Sequence, residues 1–115
     1  MYTNEQLVAM SKQMNPAQTQ ALTSRLLDEI REALPNNKDI LARLETIQKG
    51  LQQIKQEDKL KDCCQGVMRA YIHATSKSAN VNQLFATKTL NIVTEDLNKV
   101  MSLLPRPRQV MPPKA

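Results

Sequence analysis

The chain has almost no aromatic side chains and almost no glycine. It contains no Trp, one Phe and two Tyr, and its only glycines are Gly50 and Gly66. Sheets favour aromatic and β-branched side chains and use glycine in their turns. Helix-forming residues such as Leu, Gln, Lys, Ala and Glu dominate instead. The composition predicts an all-α protein, and a chain of 115 residues predicts a single domain.

Cysteines are also few, and the two that are present, Cys63 and Cys64, are adjacent. A disulfide between neighbours is strained, so we expect two free thiols and a reducing compartment. The first residues lack the basic and apolar regions of a signal peptide. No apolar run approaches the ~20 residues of a membrane span. We therefore expect a cytoplasmic or otherwise intracellular protein with no membrane span.

Sequence patterns of catalysis are missing as well. There is no Gly-rich phosphate loop, no G-x-S-x-G and no H-E-x-x-H. Most carboxylates lie opposite apolar faces and close to a Lys or Arg, as in surface ion pairs. His73 is the only histidine, and a helical wheel places it on a solvated face with Arg69 and Lys77, which repel a metal ion. We predict no enzyme, no metal site, no cofactor and no small-molecule substrate.

The strongest pattern that the chain does contain is an apolar ladder at alternating spacings of four and three. Its members are Ile40, Leu44, Ile47, Leu51 and Ile54. This spacing predicts a helix over residues 38–54 that packs lengthwise on other helices. We interpret the ladder as the core of a single-chain bundle, although its leucines and isoleucines also suit association of four helices.

Capping signals predict two helices before the ladder. The pairs Thr3–Gln6 and Asn15–Gln18 match capping boxes, and Pro16 suits a first helical position. We expect helices over residues 4–14 and 16–34. The second helix is expected to bury an apolar set made of Leu22, Leu26, Ile30, Ala33 and Leu34.

The connection after the ladder has two interpretations. The apolar residues from Leu60 onward point almost opposite to the ladder if the helix is continuous. We prefer a turn at residues 55–59 and a fourth helix over residues 60–75. The alternative is one long helix with opposite seams, which self-association would bury.

A last helix is predicted over residues 81–104, followed by a tail that prolines keep extended. The sequence therefore predicts an antiparallel helical bundle of four to five helices in residues 1–104. Residues 105–115 form a basic, proline-rich tail. The apolar stripe of the last helix changes direction between its two halves, so its first half is expected to meet a different surface.

Two surfaces emerge as candidate functional sites. The displaced part of the last stripe is either ordinary core or a protein interface, for which the candidates are Val81, Leu84, Phe85 and Ile92. Seven basic residues against two acidic ones follow residue 67 in a chain of net charge +5. These basic residues are candidate contacts with nucleic acid or an acidic partner: Arg69, Lys77, Lys88, Lys99, Arg106, Arg108 and Lys114.

Two functional hypotheses follow from these surfaces. The first is a non-catalytic protein–protein interaction protein, such as an adaptor, chaperone, regulator or small assembly subunit, that binds a protein partner or itself. The second is a nucleic-acid-binding protein. We favour the first, because the basic residues are scattered and the aromatics that stack on bases are missing. A helix that lies on a membrane surface typically presents Trp or Phe on one face, and this chain has no such face.

Overall fold

The structure is a computed structural model that describes residues 2–75 and 83–105, with side chains for these residues except 83–87. Within these ranges the chain forms five helices and no strand, which confirms the predicted all-α bundle. The helices are α1 (Asn4–Ser11), α2 (Pro16–Ala33), α3 (Lys38–Leu51), α4 (Glu57–Ala74) and α5 (Gln83–Leu103). None of the helices described is long and apolar enough to cross a membrane. Of the predicted tail, only Pro105 is described.

The four long helices form a square in the order α2, α3, α5, α4, and α1 packs on α4. Consecutive helices run in opposite directions. For example, Gln20 and Gln48 reach between α2 and α3 to Leu51 and Ser24, respectively, as two antiparallel helices require. The loop over residues 52–56 therefore crosses one end of the bundle diagonally, because α3 and α4 occupy opposite corners.

Both predicted capping boxes are formed. The Thr3 hydroxyl accepts from the Gln6 N–H at 3.1 Å, and the Asn15 side chain accepts from the Gln18 N–H at 2.8 Å. In each box the Gln side chain bonds back to the cap N–H. Helix α1 ends at Ser11, earlier than predicted, because Asn15 must be extended to precede Pro16.

The ladder forms the buried face of α3, with one exception. Ile40, Leu44, Ile47 and Leu51 are buried, whereas Ile54 lies beyond the helix and is half-buried. The chain turns at residues 52–56, a few residues earlier than predicted, and α4 begins at Glu57. The preferred turn is thus confirmed over one continuous helix, and it lets α3 and α4 both pack against α2 and α5 from opposite corners of the bundle.

Helix α4 is buried over a wider face than a helical wheel suggests, because α2 and α5 cover its two flanks. Its buried residues are Leu60, Cys63, Cys64, Val67, Met68, Ala70, Tyr71 and Ala74. On a helical wheel Cys63 lies nearer the edge of the apolar face than Cys64, yet it is fully buried. In α2 the same effect buries Leu27, while Ala33, predicted to be buried, is exposed.

The two thiols are free and point to different sides of α4, because adjacent helical residues differ in direction by ~100°. Burial raises the pKa of the Cys63 thiol to about 12, and the charge of Cys64 adds to that shift. Burial also raises the pKa of Cys64, against the opposing effect of a hydrogen bond with Thr23. Both residues therefore act as small apolar core residues, without the thiolate that nucleophilic chemistry needs.

The glycines of α3 and α4 lie where α5 approaches most closely. A Cβ atom at Gly66 would clash with the Val100 side chain, and one at Gly50 would lie 2.8 Å from a Leu104 Cδ. Val100 is β-branched and fully buried, so it cannot move aside. Leu104 is half-buried, and only the end of its side chain is involved.

We predict that Gly66→Ala destabilises the protein by about 1–3 kcal/mol through overpacking against Val100. Gly50→Ala is the matched control, and we expect a change within ~1 kcal/mol because the gain in helix propensity offsets a small shift of Leu104. Urea unfolding measures both. In a Val100→Ala background the cost of Gly66→Ala is expected to vanish, and its persistence there would contradict the assigned contact.

We also predict that stability falls above pH 9. The unfolded thiols lose their protons near their ordinary pKa of 9.0, while folded Cys63 keeps its proton up to about pH 12. The stabilisation is therefore complete below pH 9, and each thiol removes up to ~1.4 kcal/mol per pH unit above it. Urea unfolding across this range tests the slope. The free energy of unfolding of Cys63→Ala should decline less steeply with pH than that of the parent. An equal decline in both proteins would rule out the Cys63 thiol as its cause.

Candidate interaction face on helices α4 and α5

The predicted apolar interface is only partly within the described residues. Val81 lies outside them, and Leu84 and Phe85 belong to α5 without described side chains. Ile92 is 42% exposed, although a large aliphatic side chain is normally covered. The interface therefore stays a prediction, and Ile92 is its one member with a described position on the surface.

Three of the predicted basic contacts are described, and all three are exposed: Arg69, Lys88 and Lys99. The others, Lys77, Arg106, Arg108 and Lys114, lie outside the described residues. Because α4 and α5 are antiparallel neighbours, Arg69 and Lys99 approach each other although thirty positions separate them in the chain.

A groove of about 250 Å³ runs between α4 and α5, and Arg69 and Lys99 both line it. Gly66 and Val100 belong to its lining, so the close approach that excludes a side chain at Gly66 also leaves space above it. The full lining is Asp62, Gln65, Gly66, Arg69, Lys99, Val100 and Leu103. The groove thus combines two cationic groups, one acidic group and apolar surface.

Neither cation of this groove is neutralised within the described part of the chain. Some other basic residues pair along their own helices, as Lys49 does with Glu45 at 3.2 Å and Lys61 with Glu57 at 3.6 Å, while others, such as Lys88, also lack an ion pair among the described residues. No carboxylate among the described residues comes within ion-pair distance of Arg69 or Lys99, including Asp62 of the groove. The two cations are available to an anionic group from outside.

Lys88, Ile92 and Lys99 share one outward stripe of α5, since at ~100° per residue they fall within a narrow arc. Glu95 lies at the edge of this arc and is exposed too. The face therefore carries apolar surface and charges of both signs, with basic residues in slight excess.

Lys77 of the predicted solvated face lies outside the described residues. The His73 side chain is 42% exposed and has a partner on α5 that sequence reasoning missed. Its Nδ1 is 2.9 Å from an Asp96 carboxylate oxygen, and this contact joins α4 to α5 beside the groove. The Asp96 side chain is 12% exposed, so its position is firmly set. Within the described ranges, no group of three His, Cys, Asp or Glu side chains that is able to hold a metal ion comes together.

A second groove, of about 310 Å³, lies between the C-terminal ends of α3 and α5 and was missed by sequence reasoning. It is lined by Thr46, Lys49, Gly50, Gln53, Met101, Leu104 and Pro105. Each groove contains one of the two glycines. A glycine inside an amphipathic helix was thus the available signal for both grooves, because such a residue often permits a close helix approach.

The chain was compared with protein-family models, with curated proteins and with solved structures. None of the three comparisons finds a match.

Proposed function

We propose that this protein is a non-catalytic interaction protein that binds an acidic, partly apolar segment of a protein partner along α4 and α5. The observation that carries the proposal is the pair of cations, Arg69 and Lys99, on one groove with no carboxylate partner among the described residues. A carboxylate entering the groove would meet both charges and lie beside the partly exposed side chain of Leu103.

The electrostatic part of such binding is modest for each contact. Exposed ion pairs contribute about 0.2–1 kcal/mol each, so two pairs alone do not give tight binding. Apolar contact has to add to them, and Ile92 supplies exposed apolar surface on the same side of α5. An amphipathic acidic helix satisfies both requirements, since it presents carboxylates and apolar side chains on adjoining faces.

The mixture of charges favours a protein partner over nucleic acid. Phosphate recognition draws on several cations that follow a backbone of uniform negative charge. Here Asp62 lines the groove itself and Glu95 borders the α5 stripe. These carboxylates repel a continuous phosphate backbone, whereas a protein segment is able to place its carboxylates at the cations and apolar side chains elsewhere.

The first prediction of this proposal concerns charge. The double change Arg69→Glu and Lys99→Glu should weaken binding of a fluorescent helical peptide of Glu and Leu about tenfold at low salt. Lys55→Glu with Lys59→Glu is the matched control, because both residues are exposed and the change in net charge is identical. Fluorescence anisotropy across salt concentrations measures both, and the control should bind within about twofold of the parent.

Two results would contradict the proposal. An equal loss of affinity in both double variants would mean that net charge alone attracts the peptide. Tighter binding of a random DNA duplex than of the peptide, with a steep dependence on salt, would favour the nucleic-acid hypothesis instead.

The second prediction concerns the apolar part of the face. Ile92→Gln should weaken binding of the Glu and Leu peptide roughly fivefold, because the Ile92 part of the apolar contact is lost without a new charge. Val8→Gln is the matched control, since Val8 is another exposed aliphatic residue, 45% exposed, on α1. If both changes weaken binding alike, Ile92 is not part of the binding surface.

A further inference from the structure

Helix α1 is attached to the bundle by very few interactions. It packs on α4 beside α2, and its one fully buried side chain is Leu7. Tyr2, Met10 and Met14 are only partly buried against the core. The remaining residues of α1 are largely exposed, including Val8.

One hydrogen bond joins the α1 segment to the bundle among the described residues. The Tyr2 N–H donates to the Tyr71 hydroxyl at 3.0 Å, and that hydroxyl donates to a Glu29 carboxylate oxygen at 3.1 Å. Release of α1 would leave the Tyr71–Glu29 bond intact and would pass the Tyr2 N–H to water. Departure of α1 therefore strands no buried polar group.

The length of α1 makes it an all-or-none element. A helix of eight residues is not stable alone in water, so it is either docked and folded or released and unfolded. Helix α3, in contrast, is tied to its neighbours by several side-chain bonds, such as Gln48 to Ser24 at 2.8 Å and Arg43 to Asn98 at 2.8 Å.

We propose that α1 is a strap that opens independently of the other four helices, and that the groove it leaves between α2 and α4 binds an amphipathic helix of a protein partner. The occupant is defined by α1 itself. A partner helix needs a buried leucine, an aromatic ring that packs edge-on against Tyr71 and an adaptable methionine, as Leu7, Tyr2 and Met10 provide here. This site is separate from the α4–α5 face and does not depend on its function.

The adjacent cysteines offer a direct measurement of opening. Cys64 lines a small cavity of about 40 Å³ together with Ser11 and Met14, at the end of α1 and in the connection that follows it. Cys63 points away from this cavity, toward the side of α4 that carries Gly66 and meets α5. Opening of α1 alone thus exposes Cys64 and leaves Cys63 covered.

The experiment uses the full chain with one cysteine at a time. The variant Cys63→Ala retains Cys64, and Cys64→Ala retains Cys63. The rate of iodoacetamide labelling under native conditions is divided by the rate of the same variant unfolded in urea. We expect Cys64 to react at least about tenfold faster than Cys63. Opening the strap exposes less buried surface than unfolding the bundle, so it costs less free energy and occurs more often. Equal scaled rates would overturn the proposal.

A change in the bundle core separates strap opening from global unfolding. Leu44→Ala, on α3, destabilises the docked and the strap-open states alike relative to the unfolded chain. It should raise Cys63 labelling at least about tenfold and leave Cys64 within about twofold. A parallel rise in the labelling rates of both thiols would show that α1 opens only with the whole bundle. If Leu44→Ala fails to fold, the milder Ile47→Val repeats the comparison.

Changes in α1 itself test whether Leu7 is the anchor that holds the strap. Leu7→Ala should raise Cys64 labelling at least about tenfold, because the single buried anchor is truncated. Val8→Ala is the matched control on the same helix, and we expect its labelling to stay within about twofold. Equal effects of the two changes would overturn the assignment of Leu7 as the anchor.

The groove itself is tested by adding a helix in trans. A peptide of residues 2–14, at about 1 mM to match the effective concentration of a tethered segment, should slow Cys64 labelling of the Leu7→Ala chain at least about threefold. The same peptide with Leu7→Asp should have no effect. If neither peptide protects Cys64, the released groove does not bind a helix and the proposal fails.

Discussion

The contact between Gly66 of α4 and Val100 of α5 sets how closely these two helices approach. They share the most extensive packing in the bundle, and α4 packs almost as extensively on α2. A helix covered on two flanks can bury small residues at the margins of its apolar face, as α4 does with Ala70, Ala74 and Cys63. The remaining helices pack around this core. Helix α3 contacts α2 and α5, and α1 packs on the surface of α4 that these helices leave uncovered.

The same close approach produces the candidate binding face. Val100 fills the place of the missing Gly66 side chain, and the groove lies above this contact with Arg69 and Lys99 on its sides. Arg69 lies three positions after Gly66, and Lys99 directly precedes Val100, so the two cations are placed by the same contact that packs the core. A change at Gly66 would therefore affect stability and the groove together, whereas changes at Arg69 or Lys99 affect the groove alone.

Local signals allowed most of the helix boundaries to be predicted, and contacts between helices explain what was missed. The capping boxes at Thr3 and Asn15 involve atoms three residues apart, so they are readable from the sequence. The Asp96 partner of His73 is 23 residues away, and nothing local indicates that α4 and α5 adjoin there. For the same reason Arg69 and Lys99 were named as scattered cations, and their shared groove depends on helix order and direction that periodicity does not specify.

Packing is unevenly distributed, and this uneven distribution separates two kinds of surface on one small bundle. The α4–α5 face rests on fully buried residues such as Val93 and Val100, so the proposed partner would meet a preformed backbone, with little ordering required on binding. The α2–α4 groove is already filled by α1, so a partner helix has to compete with a segment held at high effective concentration. We therefore expect the proposed binding at the first face to be limited by the strength of its few contacts, and the proposed binding at the second by how often Leu7 leaves its site.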